Sequence, residues 1–236
     1  FYDLETTGIS PAFDQPLQFA AIVTDLDFKE IERIDIRCQL APHILPSPWA
    51  LAVTGVRPSQ LQNTNLPNAF EFAQKIQEFV ELWAPAIWIG YNSIAFDEAM
   101  LRQMFYQNLQ PNIFATQFNN NTRLDVMKMV FAVHATEPQI LKWPINEKGK
   151  ISFKLDQLAP ENGFTSHNAH DALGDVEATI FIAKKIKQHS PELYQKLFDA
   201  RDKERNLHPL KSFAPVEVTF RFGGNAPKTY TGCFCG

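Results

Sequence analysis

Hydrophobic and polar residues alternate along the first forty positions in the way that is typical of β-strands. Successive side chains of a strand point to opposite faces, so a strand with one buried face shows a period of two. The alternation predicts a strand that ends near Thr6 and two further strands over residues 19–24 and 33–40. Because the connections between them are short, we expect an antiparallel meander.

Beyond residue 65, apolar residues recur three or four positions apart, which is the spacing of one helix face. The pattern predicts a helix from about Asn68, a strand over 86–90, and helices over 97–108, 124–133, 152–162, 171–189 and 191–201. Residues 110–122 are rich in Asn and Gln and are predicted to form a loop. A meander followed by alternating strands and helices predicts an α/β fold.

The two ends of the chain affect the domain assignment. Residues 216–222 again alternate apolar with polar, but a single strand cannot bury its apolar face. We therefore assign residues 1–201 to one domain, and residues 202–236 to a linker and the first strand or strands of a second, β-rich domain. Only two residues precede Asp3, whereas a strand usually has about 5–6 residues, so we expect the amino-terminal strand to be truncated and the chain to be a fragment.

Composition narrows the class of protein. The chain is 45% hydrophobic and 20% charged, as expected for a soluble globular protein, and no apolar run is long enough for a membrane span. Three cysteines do not form a disulfide framework, so we expect a reducing, cytoplasmic setting. We also expect a monomer with no membrane partner. The net charge of −4 is not the basic footprint of a non-specific nucleic-acid binder, although bound metal would neutralise some acids.

Candidate chemistry begins with Asp3 and Glu5, which share one face of the first strand while Leu4 points to the other. Two neighbouring carboxylates repel each other and are unfavourable to desolvate. Such a pair stays buried or half-buried only with a cation between its members, and hard divalent cations prefer oxygen ligands. The alternative is an exposed strand end with two solvated acids.

Further acids follow at characteristic places. Asp97 is the last residue of a Gly-Tyr-Asn-x-x-x-Phe-Asp block that begins at the end of an apolar strand, and His170 precedes Asp175 by five residues. Together with Asp3 and Glu5, these residues resemble the motif set of the DEDD exonucleases whose general base is a histidine. Further segments are similar to the bacterial exonuclease I family, namely those at 90–92, 102–108, 152–155 and 168–172.

The resemblance implies a ribonuclease H-like fold, with a mixed five-stranded sheet flanked by helices and followed by the start of an SH3-like domain. It also implies a metal-dependent 3′→5′ exonuclease that releases 5′-mononucleotides from single-stranded DNA in DNA repair or recombination. The direction of digestion comes from the resemblance alone. The implied partners are single-stranded DNA and single-stranded-DNA-binding protein.

Phosphodiester hydrolysis by this route uses two metal ions, here Mg²⁺ with Mn²⁺ as an alternative. Four acids are the expected metal ligands and catalytic residues, with Asp3 as the bridging ligand: Asp3, Glu5, Asp97 and Asp175. On a continuous helix His170 would lie about 140° from Asp175, so we expect it on the loop before the helix. There it could act as general base near neutral pH, and the alternative is a capping or surface histidine.

Substrate contacts are predicted at several positions. Glu5, Thr6 and Thr7 could hold a 3′-terminal hydroxyl, although a strand-ending turn would also explain the threonines. Phe153 and Lys154 match a Phe–Arg pair that contacts the substrate in the exonuclease I family, so Phe153 is expected to stack on a base and Lys154 to meet a phosphate. Lys in place of Arg loses the bidentate fork. Arg102 and Lys128 are candidate backbone contacts, and solvated helix faces are the alternative.

Two other functions compete with this interpretation. One is a proofreading or RNA-trimming exonuclease of the same superfamily. The other is a nucleic-acid-binding module in which a nuclease fold has lost its activity. All five expected catalytic positions carry the expected residue types, which argues against the inactive module.

Overall fold

The computed structural model describes residues 1–165 and 171–235. Its first part is the predicted meander, formed by β1 (Tyr2–Thr6), β2 (Pro16–Thr24) and β3 (Glu30–Arg37), which pair antiparallel in that order. The third strand begins and ends three residues earlier than predicted. It ends because the N–H groups of Gln39 and Leu40 donate to the carbonyls of Pro67 and Leu61 instead of continuing the ladder.

A parallel pair of strands lies beside the meander. It consists of β4 (Ile87–Gly90) and β5 (Thr122–Asp125). A Cβ atom on Gly90 would lie 3.0 Å from the carbonyl oxygen of Tyr2, so this glycine allows the end of β4 to approach β1 closely. The four residues of β5 were predicted as loop and helix, and that prediction is wrong because so short a polar segment shows no strand period.

Helices cover the strands and confirm the predicted mixed α/β fold. Those in the described ranges, apart from two short 3₁₀ turns, are α1 (Pro48–Thr54), α2 (Pro58–Leu61), α3 (Ala69–Leu82), α4 (Asp97–Gln107), α5 (Val126–Thr136), α6 (Leu155–Glu161), α7 (Ala172–His189), α8 (Pro191–Asp199) and α9 (Lys203–Lys211). Asn68 caps α3, with Glu71 completing a capping box. The ninth helix was not predicted, because it lies in the segment assigned to a linker.

The core explains which way each strand residue faces. Phe19 and Ala21 of β2 pack with Tyr2 and Leu4 against α3 and α4. Ala20 pairs with Asp3 across the ladder, and it packs with α7 on the opposite face of the sheet. Because residues directly opposite each other in an antiparallel pair share a face, Asp3 faces α7 as well.

The last part of the described chain is an antiparallel hairpin of β6 (Val216–Phe220) and β7 (Lys228–Gly232). It contacts α5 and leaves Val218 and Phe220 exposed. The predicted strand over 216–222 is therefore present, and its partner is the strand that follows it. Among the described helices, none combines the length and the apolar character needed to cross a membrane.

Candidate active site

Three carboxylates converge between β1 and α7. Asp3 and Glu5 lie on the same face of β1, and Asp175 lies in the first turn of α7, where its N–H donates to the carbonyl of Asp171 over 3.0 Å. One carboxylate oxygen from each of Asp3, Glu5 and Asp175 can be chosen so that all lie within 4.8 Å of one another. Three oxygen donors at this spacing fit one hard divalent cation.

Asp97 lies beside this group, at the first position of α4. Its side chain is 2% exposed, and its Oδ1 accepts a hydrogen bond from the N–H of Leu4 over 3.1 Å. Leu4 stands between Asp3 and Glu5 on β1. Its hydrogen bond therefore holds Asp97 beside the strand segment that carries these two acids. The structure thus places all four predicted acids in one region.

The electrostatics of these acids favour a bound cation. Burial, and then the charges of Asp97, Asp175 and Glu5, raise the pKa of Asp3 well above its ordinary value. Burial, followed by the charges of Asp175 and Asp171, raises the pKa of Glu5 to about 8, while Arg37 opposes the shift. A divalent cation would remove this repulsion, so the donor chemistry and the local charge agree.

Burial also raises the pKa of Asp97 well above its ordinary range. Hydrogen bonds from its own N–H and from the N–H of Leu4 oppose that shift, while the charges of Asp125 and Glu98 add to it. Without a cation, the folded protein therefore holds several carboxyl groups that ionise reluctantly.

Gln18 and Arg37 hold the start of α7, and neither was identified from the sequence. The buried amide nitrogen of Gln18 donates to Asp35 Oδ1 over 2.8 Å and to Asp171 Oδ1 over 3.0 Å. The same Asp171 oxygen accepts from the Arg37 guanidinium over 2.9 Å. These bonds tie the beginning of the helix that carries Asp175 to the meander. The residue pattern alone gives no sign of this pairing, since 134 positions separate Arg37 from Asp171.

Asp125 is an acid that sequence analysis missed. It ends β5, and its carboxylate accepts from the N–H groups of Asn92 (2.9 Å), Met127 (3.0 Å) and Ile94 (3.4 Å). Asn92 adopts a left-handed backbone conformation with φ of 63°, where the chain bends towards Asp97. Asp125 therefore shapes the loop that leads into α4. Its position as an acidic N-cap just before the apolar helix α5 is the signal that could have identified it.

Thr6 and Thr7 already use their hydroxyl groups within the protein. Thr6 donates to the carbonyl of Gly8 over 2.6 Å. Thr7 donates to Asp14 Oδ1 over 2.8 Å and accepts from the N–H of Gln15 over 2.9 Å. These bonds build a strand-ending turn, so the geometry favours a structural role for the hydroxyl groups of Thr6 and Thr7. A contact between this segment and a 3′-hydroxyl stays a prediction.

Phe153 occupies a different environment from the one expected. Its ring is 4% exposed and packs against Phe131, His134 and Trp143, with ring centroids 5.2–5.7 Å away. This burial contradicts the expectation of an open ring face that could stack on a nucleobase. The ring is instead stabilised by burial of its apolar surface against other aromatic rings. Lys154, the next residue, is exposed where the chain turns into α6.

The remaining cationic candidates are held over aromatic rings. Arg102 lies over Phe114 at 5.0 Å and Lys128 over Phe131 at 5.5 Å. The hairpin contributes Arg221, a residue that sequence analysis missed, whose guanidinium lies 4.8 Å from the Phe153 ring centroid. Lys128 and Arg221 thus lie over rings of one aromatic cluster, and Lys154 follows a member of that cluster in the chain.

His170 lies outside the described residues. Helix α7 begins at Ala172 after the cap position of Asp171, and Asp175 is in the first turn, as predicted. The expected position of His170 just before the helix and its role as general base stay predictions.

A mixed α/β fold with converging acidic side chains is typical of enzymes that hold divalent cations for phosphoryl chemistry. The RNase_T model, described as Exonuclease, matches residues 1–183, and the chain belongs to this exonuclease family.

Curated relatives agree with this assignment. Exodeoxyribonuclease I of Escherichia coli (strain K12) is 37% identical over 206 residues, which cover 87% of this chain and 43% of the relative. Exodeoxyribonuclease I of Haemophilus influenzae is 39% identical over 206 residues, covering 86% and 43%. The chain therefore spans about half the length of the curated relatives it matches.

Solved structures show the same likeness and confirm the predicted fold class. E. coli exonuclease I in complex with a dT13 oligonucleotide aligns with a TM-score of 0.88 and 34% identity over 98% of this chain and 51% of that chain. An ExoI/SSB-Ct complex aligns with a TM-score of 0.85 and 34% identity, covering 97% and 50%. A zinc-bound E. coli ExoI–ssDNA complex aligns with a TM-score of 0.84 and 34% identity, covering 94% and 47%.

Proposed function

We propose that this chain forms the nuclease part of a metal-dependent 3′→5′ exonuclease. Its substrate is single-stranded DNA, its products are 5′-mononucleotides, and its role is in DNA repair or recombination. The observation that carries the proposal is the convergence of three carboxylates within 4.8 Å, with the buried Asp97 beside them. The relatives named exodeoxyribonuclease I and the structure with a dT13 oligonucleotide support the substrate class.

The acids have separable roles in this proposal. Two Mg²⁺ ions, when bound, stabilise the charge that develops on the attacking and leaving oxygens. Asp3, Glu5 and Asp175 offer one set of ligand oxygens. Asp97 offers its Oδ2, since its Oδ1 is engaged by Leu4. Mn²⁺ is a suitable substitute, because it also accepts carboxylate and water oxygens.

His170 would accept the proton of the attacking water. Its nearest described neighbour, Asp171, is fixed by Gln18 and Arg37, so the chain that leaves α7 towards His170 starts from a defined point. The ordinary pKa of an imidazole lies near neutral pH, which is why histidine commonly serves as a general base. The assignment of His170 itself comes from the sequence motif.

Lys128, Lys154 and Arg221 form the proposed contact surface for the DNA backbone. Lys128 lies in the first turn of α5, three residues after Asp125, at the end of the parallel strands where α/β proteins bind ligands. Arg221 lies over the Phe153 ring, and the exposed Lys154 is the next residue after Phe153 in the chain. Because each phosphate contact is electrostatic, this surface would compensate for the net charge of −4 of the chain.

The wider assignments rest on the residue patterns and on the family resemblance. We propose that residues 1–201 form the exonuclease domain and that residues 202–236 begin a second, SH3-like domain. The protein is proposed to be a cytoplasmic monomer. The ExoI/SSB-Ct complex supports single-stranded-DNA-binding protein as a partner of the whole protein.

Digestion of a 5′-labelled single-stranded oligonucleotide tests the proposal. With Mg²⁺ we expect progressive shortening from the 3′ end and release of 5′-monophosphates, and with EDTA no shortening. Asp97→Asn serves as the matched inactive control. Faster digestion of an RNA of the same sequence would favour the RNA-trimming alternative, and tight binding of DNA without digestion would favour the inactive module.

A further inference from the structure

A buried carboxylate next to the candidate site has no role in the chemistry described above. Glu98 follows Asp97 in α4 and is 3% exposed. Its Oε1 accepts a hydrogen bond from the hydroxyl of Tyr2 over 2.8 Å. Its Oε2 accepts from the hydroxyl of Thr116 over 2.8 Å and from the guanidinium of Arg123 over 3.1 Å. Both oxygens are therefore engaged by donors from three other parts of the chain.

The position of this carboxylate relates two of the candidate metal ligands. Tyr2 immediately precedes Asp3 on β1, and Glu98 immediately follows Asp97 on α4. The Tyr2–Glu98 hydrogen bond thus joins strand and helix one residue away from each acid. The bond from Leu4 N–H to Asp97 joins the same two elements on the other side of Asp3. Together the two bonds hold β1 against α4 on both sides of Asp3.

The donors to Glu98 are rigidly placed. The Tyr2 ring is 2% exposed, and it packs between Phe19 and Trp88 with centroid distances of 6.3 and 5.3 Å. Arg123 belongs to β5, so its ion pair with Glu98 also links α4 to the parallel strands. A buried carboxylate that loses a donor retains an unpaired oxygen, which is unfavourable, so the arrangement resists sliding of α4 along β1.

We propose that Tyr2 is a positioning residue for the cation site and that it acts through Glu98. This role rests on the proposed function: the Tyr2–Glu98 hydrogen bond sets the distance between the carboxylates of Asp3 and Asp97. Mg²⁺ requires near-ideal octahedral geometry, so small changes in ligand separation weaken its binding. Tyr2 has no contact with substrate in this proposal, and its effect is on the metal ligands.

The test compares two hydroxyl deletions at the same carboxylate. Tyr2→Phe removes the donor beside Asp3, whereas Thr116→Val removes a donor to the same Glu98 from a turn that carries none of the candidate metal ligands. Binding of Mn²⁺ to each protein, in its full chain and without DNA, is followed by electron paramagnetic resonance. Thermal unfolding of both variants shows whether each is folded at the assay temperature.

We expect Tyr2→Phe to weaken Mn²⁺ binding by about 10–100-fold, which is the usual effect of removing a partner that orients metal ligands. Thr116→Val should leave Mn²⁺ affinity unchanged, even though its melting temperature also falls. In oligonucleotide digestion, Tyr2→Phe should lower kcat and raise the Mg²⁺ concentration for half-maximal rate, with the KM for DNA unchanged.

Equal weakening of Mn²⁺ binding by both deletions, or no weakening by Tyr2→Phe, overturns the positioning role and leaves Glu98 as a stabilising residue only. The proposed function fails in a different way. In that case the wild-type protein binds no Mn²⁺, or Asp3→Asn binds it as well as the wild type.

Discussion

The backbone N–H of Leu4 donates a hydrogen bond to Asp97 Oδ1 over 3.1 Å. This bond places an acid from a helix against the strand segment that carries Asp3 and Glu5. Because the donor is a backbone group, this hydrogen bond depends on the path of β1 and does not require a particular side chain at position 4.

Asp97→Asn separates the charge of this residue from its structural bond. The amide oxygen of Asn can still accept from Leu4, so we expect a melting temperature close to that of the wild type. Turnover should fall at least about 10²-fold, since one group that stabilises transition-state charge is lost. Asp3→Asn, Glu5→Gln and Asp175→Asn should behave alike in single-turnover digestion with Mg²⁺. Near-wild-type turnover of Asp97→Asn would remove this residue from the site.

The raised pKa of Glu5 should make the free energy of unfolding depend on pH and on bound metal. Its pKa in the folded, metal-free protein is raised from 4.5 to about 8, so the unfolded chain ionises first as the pH rises. The free energy of unfolding in EDTA should therefore decrease between about pH 4.5 and pH 8. Saturating Mg²⁺ should reduce this decrease, because the cation stabilises the ionised form.

Thermal unfolding at several pH values, with EDTA and with Mg²⁺, measures this effect. Glu5→Gln is the matched control, and its melting temperature should depend less on pH in EDTA. An identical pH dependence for Glu5→Gln would show that Glu5 does not carry the shift.

His170→Ala tests the general base. We expect the rate to fall by about 10²–10⁴-fold, the usual contribution of such a group, while Mn²⁺ binding is retained. The acid limb of the pH–rate profile should flatten, because the group that must lose its proton is gone. A retained acid limb would leave His170 as a helix-capping or surface residue.

Arg221 and Lys154 should each contribute to the salt dependence of DNA binding. Arg221→Met keeps apolar contact with the Phe153 ring and loses the charge, so the slope of log K against log salt should fall by about 0.7. Lys154→Ala should have the same effect and raise KM more than it lowers kcat, while Lys154→Arg should bind equally or more tightly.

Arg205→Met is the matched control for these variants. Arg205 lies on α9, is exposed, and pairs with Asp199 at 3.0 Å. Its replacement should leave the slope unchanged in binding measurements at several salt concentrations. If Arg221→Met and Arg205→Met both give the same slope as the wild type, Arg221 does not contact DNA phosphates and only stabilises the packing of the hairpin against the Phe153 ring.

Phe153 is expected to stabilise the folded protein through its buried ring and to make no contact with DNA. Phe153→Ala should lower the free energy of unfolding by about 3–5 kcal/mol, as for other buried aromatic residues, and Phe153→Leu by less. Denaturant unfolding provides the measurement. A variant with unchanged stability and weakened DNA binding would instead restore the base-stacking role that the structure contradicts.

The sequence determined most of the elements, because strand and helix periods are local properties of the chain. The meander, the capped helix after Asn68 and the helix that begins at Asp97 were all predicted from residue patterns. The family was also evident from the sequence, since Asp3, Glu5, Asp97, His170 and Asp175 keep a specific spacing. The predicted boundaries of β3 and α6 were less accurate, because the hydrogen bonds that end or begin an element come from distant residues.

Only the tertiary structure decided which side chains meet. The buried Glu98 with its three donors, the bonds of Asp171 to Gln18 and Arg37, and the position of Arg221 over Phe153 join residues far apart in the chain. Burial of Phe153 likewise follows from neighbours that pack around it in three dimensions. Local residue patterns carry the period of a strand or a helix, but the partner of a buried polar group depends on how those elements pack, and packing is a property of the whole fold.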